Sequence, residues 1–256
     1  MSRNDSLGDR MKGYENVTRV HLTRRTPVII RIDGKAFHTW TKQLKHVDNE
    51  LEQDPFSGIM NAAMAETTRQ LVTNIQNAVL GYTQSDEISI LLNDWKTLET
   101  DAWFSANIQK MVSVAASMAT VYFNNSIPDM LHTYRNLSGK QLSSAMFDAR
   151  VFNLPKEEVA NYFIWRQQDA SRNSVQMLAR HYFSHRELHR KNNSEIQDML
   201  MGTFGINWND IDTWKKRGCC ALRDPFCLNG VVIDREIPIF TQDRNYIEKH
   251  LLEEKE

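Results

Sequence analysis

Cysteine is scarce in this chain, and its placement excludes two classes of protein. Of 256 residues three are cysteine, and a disulfide framework cannot be drawn from an adjacent pair, Cys219 and Cys220, plus a lone Cys227. No CxxC pair and no neighbouring histidine offers the ligand spacing of a structural zinc site, so reduced, structural thiols are expected. Proline and glycine number only six and ten, which excludes fibrous repeats and low-complexity linkers. No apolar run approaches the roughly 20 residues that span a bilayer. The opening MSRNDSLGDRMKGYEN has no apolar stretch to act as a secretory signal, so a cytoplasmic protein without a membrane partner is expected. Net charge is lacking as well: 31 Lys+Arg against 32 Asp+Glu leaves −1. That balance argues against a protein that wraps phosphates, unless basic residues cluster on one face.

What is present is the makeup of an ordinary folded protein, 41% hydrophobic and 25% charged. Thr26 to Gly34 is a β-branched apolar run closed by Asp-Gly, which reads as a buried strand ending in a turn. Asp54-Pro55 opens a helical pattern from about Phe56 to Ile75. A hairpin follows, with arms Ala78–Thr83 and Ile88–Leu92 joined by the acidic tip Gln84-Ser85-Asp86-Glu87. Trp103 to Phe123 reads as a strongly apolar helix, Ala145 to Phe152 as another strand, and Pro155 as the start of a long helix to about Arg190. Ser194 with Gln197 suggests a capping box, Asn207 to Lys216 another helix, and Gly218–Arg223 with Gly230–Glu236 a pair of strands. Glu248 to Glu256 reads as a charged helix or a frayed tail.

The order strand, helix, hairpin, helix, strand, helix predicts an α+β fold: an antiparallel, polymerase-palm-like sheet of the ferredoxin-like split βαβ type, with helices packed on one face. A catalytic region over residues 1–150 and a helical and C-terminal extension over 151–256 are expected to form one compact unit.

If the strand ending in Asp33-Gly34 lies beside the hairpin carrying Asp86-Glu87, two or three carboxylates converge at one sheet edge. Like charges that close cost several kcal/mol unless a cation sits between them, and a hard divalent ion such as magnesium suits oxygen ligands. Asp-Gly and Ser-Asp-Glu are also common solvated turns, and spacing alone leaves both readings open. The segment Gly34-Lys35-Ala36-Phe37-His38 can turn its N–H groups inward as a nest for a triphosphate. Lys110, at the polar start of an apolar helix, either snorkels to solvent or reaches an anion.

Five blocks occur together in order: Arg31-Ile32-Asp33-Gly34-Lys35-Ala36-Phe37-His38, Gly81-Tyr82-Thr83-Gln84-Ser85-Asp86-Glu87, Lys110-Met111-Val112-Ser113, Phe147-Asp148-Ala149-Arg150-Val151 and Trp165-Arg166-Gln167-Gln168-Asp169. In order and spacing they resemble the tRNA-His guanylyltransferase family, over roughly residues 7 to 220. The resemblance implies a nucleotidyltransferase with a palm that adds nucleotides to the 5′ end of RNA, opposite to the direction of ordinary polymerases. It implies that Asp33, Asp86 and the Gly34 carbonyl hold two Mg2+ ions, and that Glu87 supports the catalytic site. It also implies that Asp33, Gly34, Lys35, Ala36, Phe37, His38, Ser85, Asp86 and Lys110 bind the ATP or GTP substrate, and that the protein is a homotetramer.

One departure matters. Members that guanylate tRNA-His carry His-Ile-Asn-Asn after the Trp-Arg-Gln block, where this chain reads Ser171-Arg172-Asn173-Ser174. That resembles the "like protein" branch and implies template-dependent repair of tRNA, or tRNA-like RNA, with an incomplete 5′ end. Guanosine addition to tRNA-His and a nucleotide-cyclase-like palm are the alternatives. For RNA contact, Asn173 and a basic strip of Arg180, Arg186, Arg190 and Lys191 around His181, His185 and His189 are candidates. The outer histidines lie about 12 Å apart on one helix, too far for one metal ion. Lys215 and Lys216 form a second basic cluster. The polar connection from Lys42 to Asp54 is expected to be longer than in typical members, and no nucleotide contact is assigned to it.

Overall fold

The computed structural model describes residues 6–45, 54–135, 142–227 and 230–252. Most of the Lys42 to Asp54 connection and the end of the charged tail lie outside the described residues. The centre is a six-stranded antiparallel sheet in the order β4-β1-β3-β2-β5-β6. The strands are β1 Val28–Gly34, β2 Ala78–Gln84, β3 Glu87–Leu92, β4 Phe147–Asn153, β5 Cys219–Arg223 and β6 Val231–Asp234. Helix α3 (Gly58–Asn74) links β1 to β2 and α4 (Ile108–Arg135) links β3 to β4, which is the split βαβ arrangement the element order implied. The C-terminal strands extend the same sheet, because β5 pairs with β2.

Strand β1 is apolar on both faces for a reason. Val28, Ile30 and Ile32 pack with residues of α3 and α4, such as Ile59, Leu71, Ala115 and Phe123. Ile29, one position out of phase, packs against Val159, Ala160 and Phe163 of α5 (Lys156–Tyr182) and against Ile237, Phe240 and Ile247. The expectation of helices on one face therefore describes α3 and α4 only. A strand with a continuous apolar run has two faces to bury, and α5 with the C-terminal segment covers the second.

Several boundaries differ from the expectation. Ser57 caps α3, its hydroxyl accepting from the Met60 N–H at 3.1 Å, so the helix begins two residues later than the proline signal suggested. The Trp103 to Phe123 pattern splits into a 3-10 turn, Trp103–Ala106, with left-handed residues at Phe104 and Ser105, and α4, the two parted by the extended Asn107. The long helix from Pro155 does not reach Arg190: α5 ends at Tyr182, and Ser184 with Glu187 forms a capping box that starts α6 (His185–Leu188). The capping box of α7 (Asn193–Phe204) uses Asn192 and Glu195, not Ser194 and Gln197. Residues 207–216 divide between a 3-10 turn, Trp208–Asp210, and the start of α8 (Thr213–Arg217). The tail's described part is the short α9 (Asn245–Glu248) and a 3-10 turn, Lys249–Leu251. Two helices were not anticipated, α1 (Ser6–Asn16) and α2 (Phe37–Lys45).

Candidate active site

The β1–β3 register brings the acids together. Asp33 stands opposite Glu87, and the Gly34 N–H donates to the Asp86 carbonyl at 3.0 Å. The hairpin turn is only Ser85-Asp86, since Gln84 and Glu87 pair as strand residues, and Ser85 takes the positive φ of 50° that so tight a turn needs. The expected four-residue acidic tip is thus divided. Asp86 stays in the turn, while Glu87 faces inward and is 6% exposed.

Arginines hold two of the three acids. Arg166 of α5, itself 5% exposed, donates from Nε and Nη2 to the two oxygens of Glu87, both at 2.6 Å. Arg31 Nη2 bridges Glu87 at 2.8 Å and Asp33 Oδ1 at 3.0 Å. Arg150 Nη2 lies 2.9 Å from Asp33 Oδ2 as an ion pair, at an angle that leaves this buried oxygen without a hydrogen bond. Burial still pushes the Glu87 carboxyl above its ordinary pKa, with Arg166 opposing it; burial also acts to lower Arg166, but Glu87 and Asp169 together raise it. Asp86 has no cation among the described residues. Its side-chain contact is the Ser85 hydroxyl at 3.2 Å, and burial, with Asp33 adding repulsion, pushes its pKa up.

These acids open into a cleft of about 980 Å³. One wall is a stripe of α5, Arg166, Asp169, Asn173, Gln176 and Arg180, at helical intervals. The others are the first turn of α2 with His38, the start of α3 from Phe56 to Asn61, and α8 from Trp214 to Gly218. The expected nest narrows. Gly34 N–H is taken by Asp86, and Lys35 N–H donates to the Met146 carbonyl at 2.8 Å. The donors left for a phosphate are the N–H groups of the left-handed Ala36 (φ 53°) and of the first turn of α2, at Phe37 and His38. The Phe37 ring packs on the bare Cα of Gly34, where a Cβ would clash, and against Trp40, Phe123 and Phe147. That ring is structural and fixes the start of α2; Lys35 is exposed and does not line the cleft.

The donor set tests the magnesium expectation. Among the described residues no three His, Cys, Asp or Glu side chains converge as a metal cage. Asp33, Asp86 and the Gly34 carbonyl are hard oxygen donors, and Asp33 Oδ2 lacks a hydrogen bond. Such a set fits Mg2+, which is commonly held by one or two carboxylates with substrate phosphates and waters completing the octahedron. Glu87 is not free to ligate, because Arg166 and Arg31 occupy its oxygens.

The remaining candidates separate. Asn173 and Arg180 line the cleft. Lys110 lies on the first turn of α4, 6.0 Å from the Phe104 ring, and is not a cleft residue. Lys215 is held by Asp54 at 2.6 Å and Asp212 at 3.3 Å, and Lys216 is largely buried with its ammonium on the Asn209 carbonyl, so both are committed within the chain. Lys191 pairs with Glu195 at 3.7 Å. Arg190 lines a smaller groove beside the cleft, and Arg186 is exposed on α6. The breaks at Phe183 and His189 mean that the three histidines do not share one helix. Sequence reasoning missed Arg31, Arg150 and Arg166 as the partners of the acids. The period-2 spacing of Arg31 and Asp33, and of Asp148 and Arg150, signals only that each pair shares a sheet face.

The family model described as "Thg1: tRNAHis guanylyltransferase" matches residues 8–155. A solved bacterial tRNA(His) guanylyltransferase (Thg1)-like protein in complex with ATP is 44% identical, with a TM-score of 0.85 over 96% of this chain and 99% of that one. The bacterial Thg1-like protein in complex with GTP is 43% identical at a TM-score of 0.79, with the same coverage. Among curated proteins, the tRNA(His) guanylyltransferase of Schizosaccharomyces pombe is 28% identical over 84% of this chain and 79% of its own length.

Proposed function

The chain belongs to the tRNA-His guanylyltransferase family, a family of nucleotidyltransferases that act on tRNA, and on that premise we propose that it restores missing nucleotides at tRNA 5′ ends. Addition runs 3′ to 5′, each nucleotide is chosen by pairing with the opposite strand, and ATP activates a 5′-monophosphate. The observation that carries this reading is that Asp33 and Asp86, brought together where the Gly34 N–H meets the Asp86 carbonyl, line a cleft whose long wall is the Asn173 and Arg180 face of α5.

In this reading Asp33, Asp86 and the Gly34 carbonyl hold two Mg2+ ions, which when bound neutralise the attacking and leaving oxygens of an in-line displacement. The rest falls to the chain's own groups. Phe37 and His38 N–H groups, at the positive end of α2, orient the triphosphate of ATP or GTP. Ser85 and the His38 side chain lie at the cleft edge beside it. Arg166, through Glu87 and Arg31, fixes the side chain of Asp33. Arg180 supplies positive charge for RNA phosphates farther along the wall.

Template dependence is favoured by the α5 segment that replaces the family's His-Ile-Asn-Asn. Arg172 pairs with Asp169 at 3.2 Å, and Ser174 is buried, accepting from the Trp208 indole at 3.0 Å. Of this segment's unburied residues Asn173 is the one that lines the cleft, its amide also donating to Asp169 at 3.4 Å. Guanosine addition to tRNA-His is the second reading, favoured by the activity named for the curated relatives. Among the described residues no helix is long and apolar enough to cross a membrane; a cytoplasmic location and a homotetramer belong to the proposal.

The test is incubation with Mg2+, ATP, labelled nucleotides and a tRNA lacking its first 5′ nucleotide. Restoration of the paired nucleotide is expected. A folded protein that adds none, or adds guanosine whatever the template base, overturns the reading.

A further inference from the structure

The break between α5 and α6 turns an expected linear stripe into a concave site. A groove of about 430 Å³ sits between the last turns of α5 and the segment that folds back through α6. It shares Arg180 and Gln176 with the catalytic cleft, so the two are continuous. Its floor is apolar, from Phe183 and Leu188, and its rim carries Arg180, Arg190 and the imidazoles of His185 and His189, whose centroids are 6.3 Å apart. No carboxylate lines it. Arg180 and Arg190 form no ion pair among the described residues, whereas Lys191, Lys215 and Arg172 nearby all do. Arg190 adopts a left-handed backbone (φ 62°) as the chain turns back. The Gln176 amide donates to Asn193 at 2.7 Å, which fixes its orientation and leaves Oε1 to accept from a base edge.

We propose that this groove holds unpaired nucleotides of the template strand, past the 5′ end being extended; the inference rests on templated 3′-to-5′ addition. A template strand must continue beyond the end it directs, so single-stranded RNA has to leave the catalytic cleft. Flat apolar and imidazole surfaces flanked by arginines suit exposed bases and their phosphates. A duplex, with its bases paired inward, offers only the phosphates. The distance is defined by α5: Arg180 is fourteen positions from Arg166, about 21 Å along the axis. At about 3.4 Å per stacked nucleotide, roughly six template nucleotides span it, and fewer if the strand is extended.

The test compares two RNA hairpins of equal length and charge. One carries a six-nucleotide 3′ overhang past its recessed 5′ end; the other carries a one-nucleotide overhang and five extra nucleotides in its loop. Binding is read by fluorescence anisotropy with the full chain, wild type and H185A/H189A, whose histidines are exposed on a short capped turn. Wild type is expected to bind the long overhang about tenfold tighter, the size of one or two base-stacking contacts. The variant, with its melting temperature unchanged, should bind both RNAs equally. Equal binding of the two RNAs by wild type, or a tenfold preference retained by the variant, overturns the proposal. Because binding needs no catalysis, a protein that shows the overhang preference yet adds no nucleotide refutes only the catalytic reading.

Discussion

The Arg166–Glu87 pair allows a prediction whose size follows from burial. Both side chains are almost fully enclosed and meet through two 2.6 Å hydrogen bonds. Replacing Arg166 with Met leaves Glu87 with Arg31 alone, in a site where burial already pushes its pKa up. Removing one partner of a buried pair costs about 3–5 kcal/mol, because the other charge remains desolvated. For a chain of this length that corresponds to a fall in Tm of roughly 10 °C. Glu87 then takes up a proton at a higher pH than in the wild type, so the loss should be smaller at pH 6 than at pH 8. The double variant R166M/E87L removes both charges and should recover most of the lost stability, since an apolar pair replaces a buried ion pair at little or no cost. It should not recover nucleotide addition, because Arg31 loses the carboxylate that positions it against Asp33. The assay is thermal unfolding at pH 6 and pH 8 with single-turnover nucleotide addition on the same samples. A single variant that melts within about 2 °C of the wild type, or a double variant no more stable than the single, would refute the reasoning.

Asp86→Asn should lower nucleotide addition by at least about a hundredfold with Tm unchanged or slightly raised, because the carboxylate it removes is half-buried with no cation beside it among the described residues; retained turnover would show that Asp86 is not a ligand. Arg180→Ala should weaken tRNA binding across sequences and reduce the slope of log K against log salt by about one, measured by anisotropy from low to moderate salt; an unchanged slope would place Arg180 off the RNA path. His250 gives a pH dependence. Burial, with the Lys249 charge beside it, pushes its pKa down to about 4 from an ordinary 6.5. The folded state therefore refuses a proton that the unfolded chain accepts, and stability present above pH 6.5 is lost as pH falls toward 4. Between pH 7 and pH 5 this group removes about 2 kcal/mol. His250→Leu should flatten that part of the profile in urea denaturation, and an identical slope in the variant would contradict it.

The sequence by itself determined the local elements and the chemistry they carry. The β-branched run into Asp33-Gly34, the hairpin around Asp86 and the helical patterns over α3 and α5 follow from periodicities of two and 3.6 that neighbouring residues enforce. The five ordered blocks fixed the family. Tertiary structure decided which charges are free. Glu87 looked like a third acid at a solvated tip, but Arg166, 79 positions away, makes it a clamped support. Lys215 and Lys216 looked like an RNA-facing cluster, yet Asp54 and the Asn209 carbonyl hold them. The basic stripe after Arg180 became a groove because Ser184 caps a new turn in place of a continuing helix. A helix or strand is specified by contacts a few residues apart, whereas the partner of a buried charge is set by whichever distant element the sheet brings to it, and no spacing along the chain records that distance.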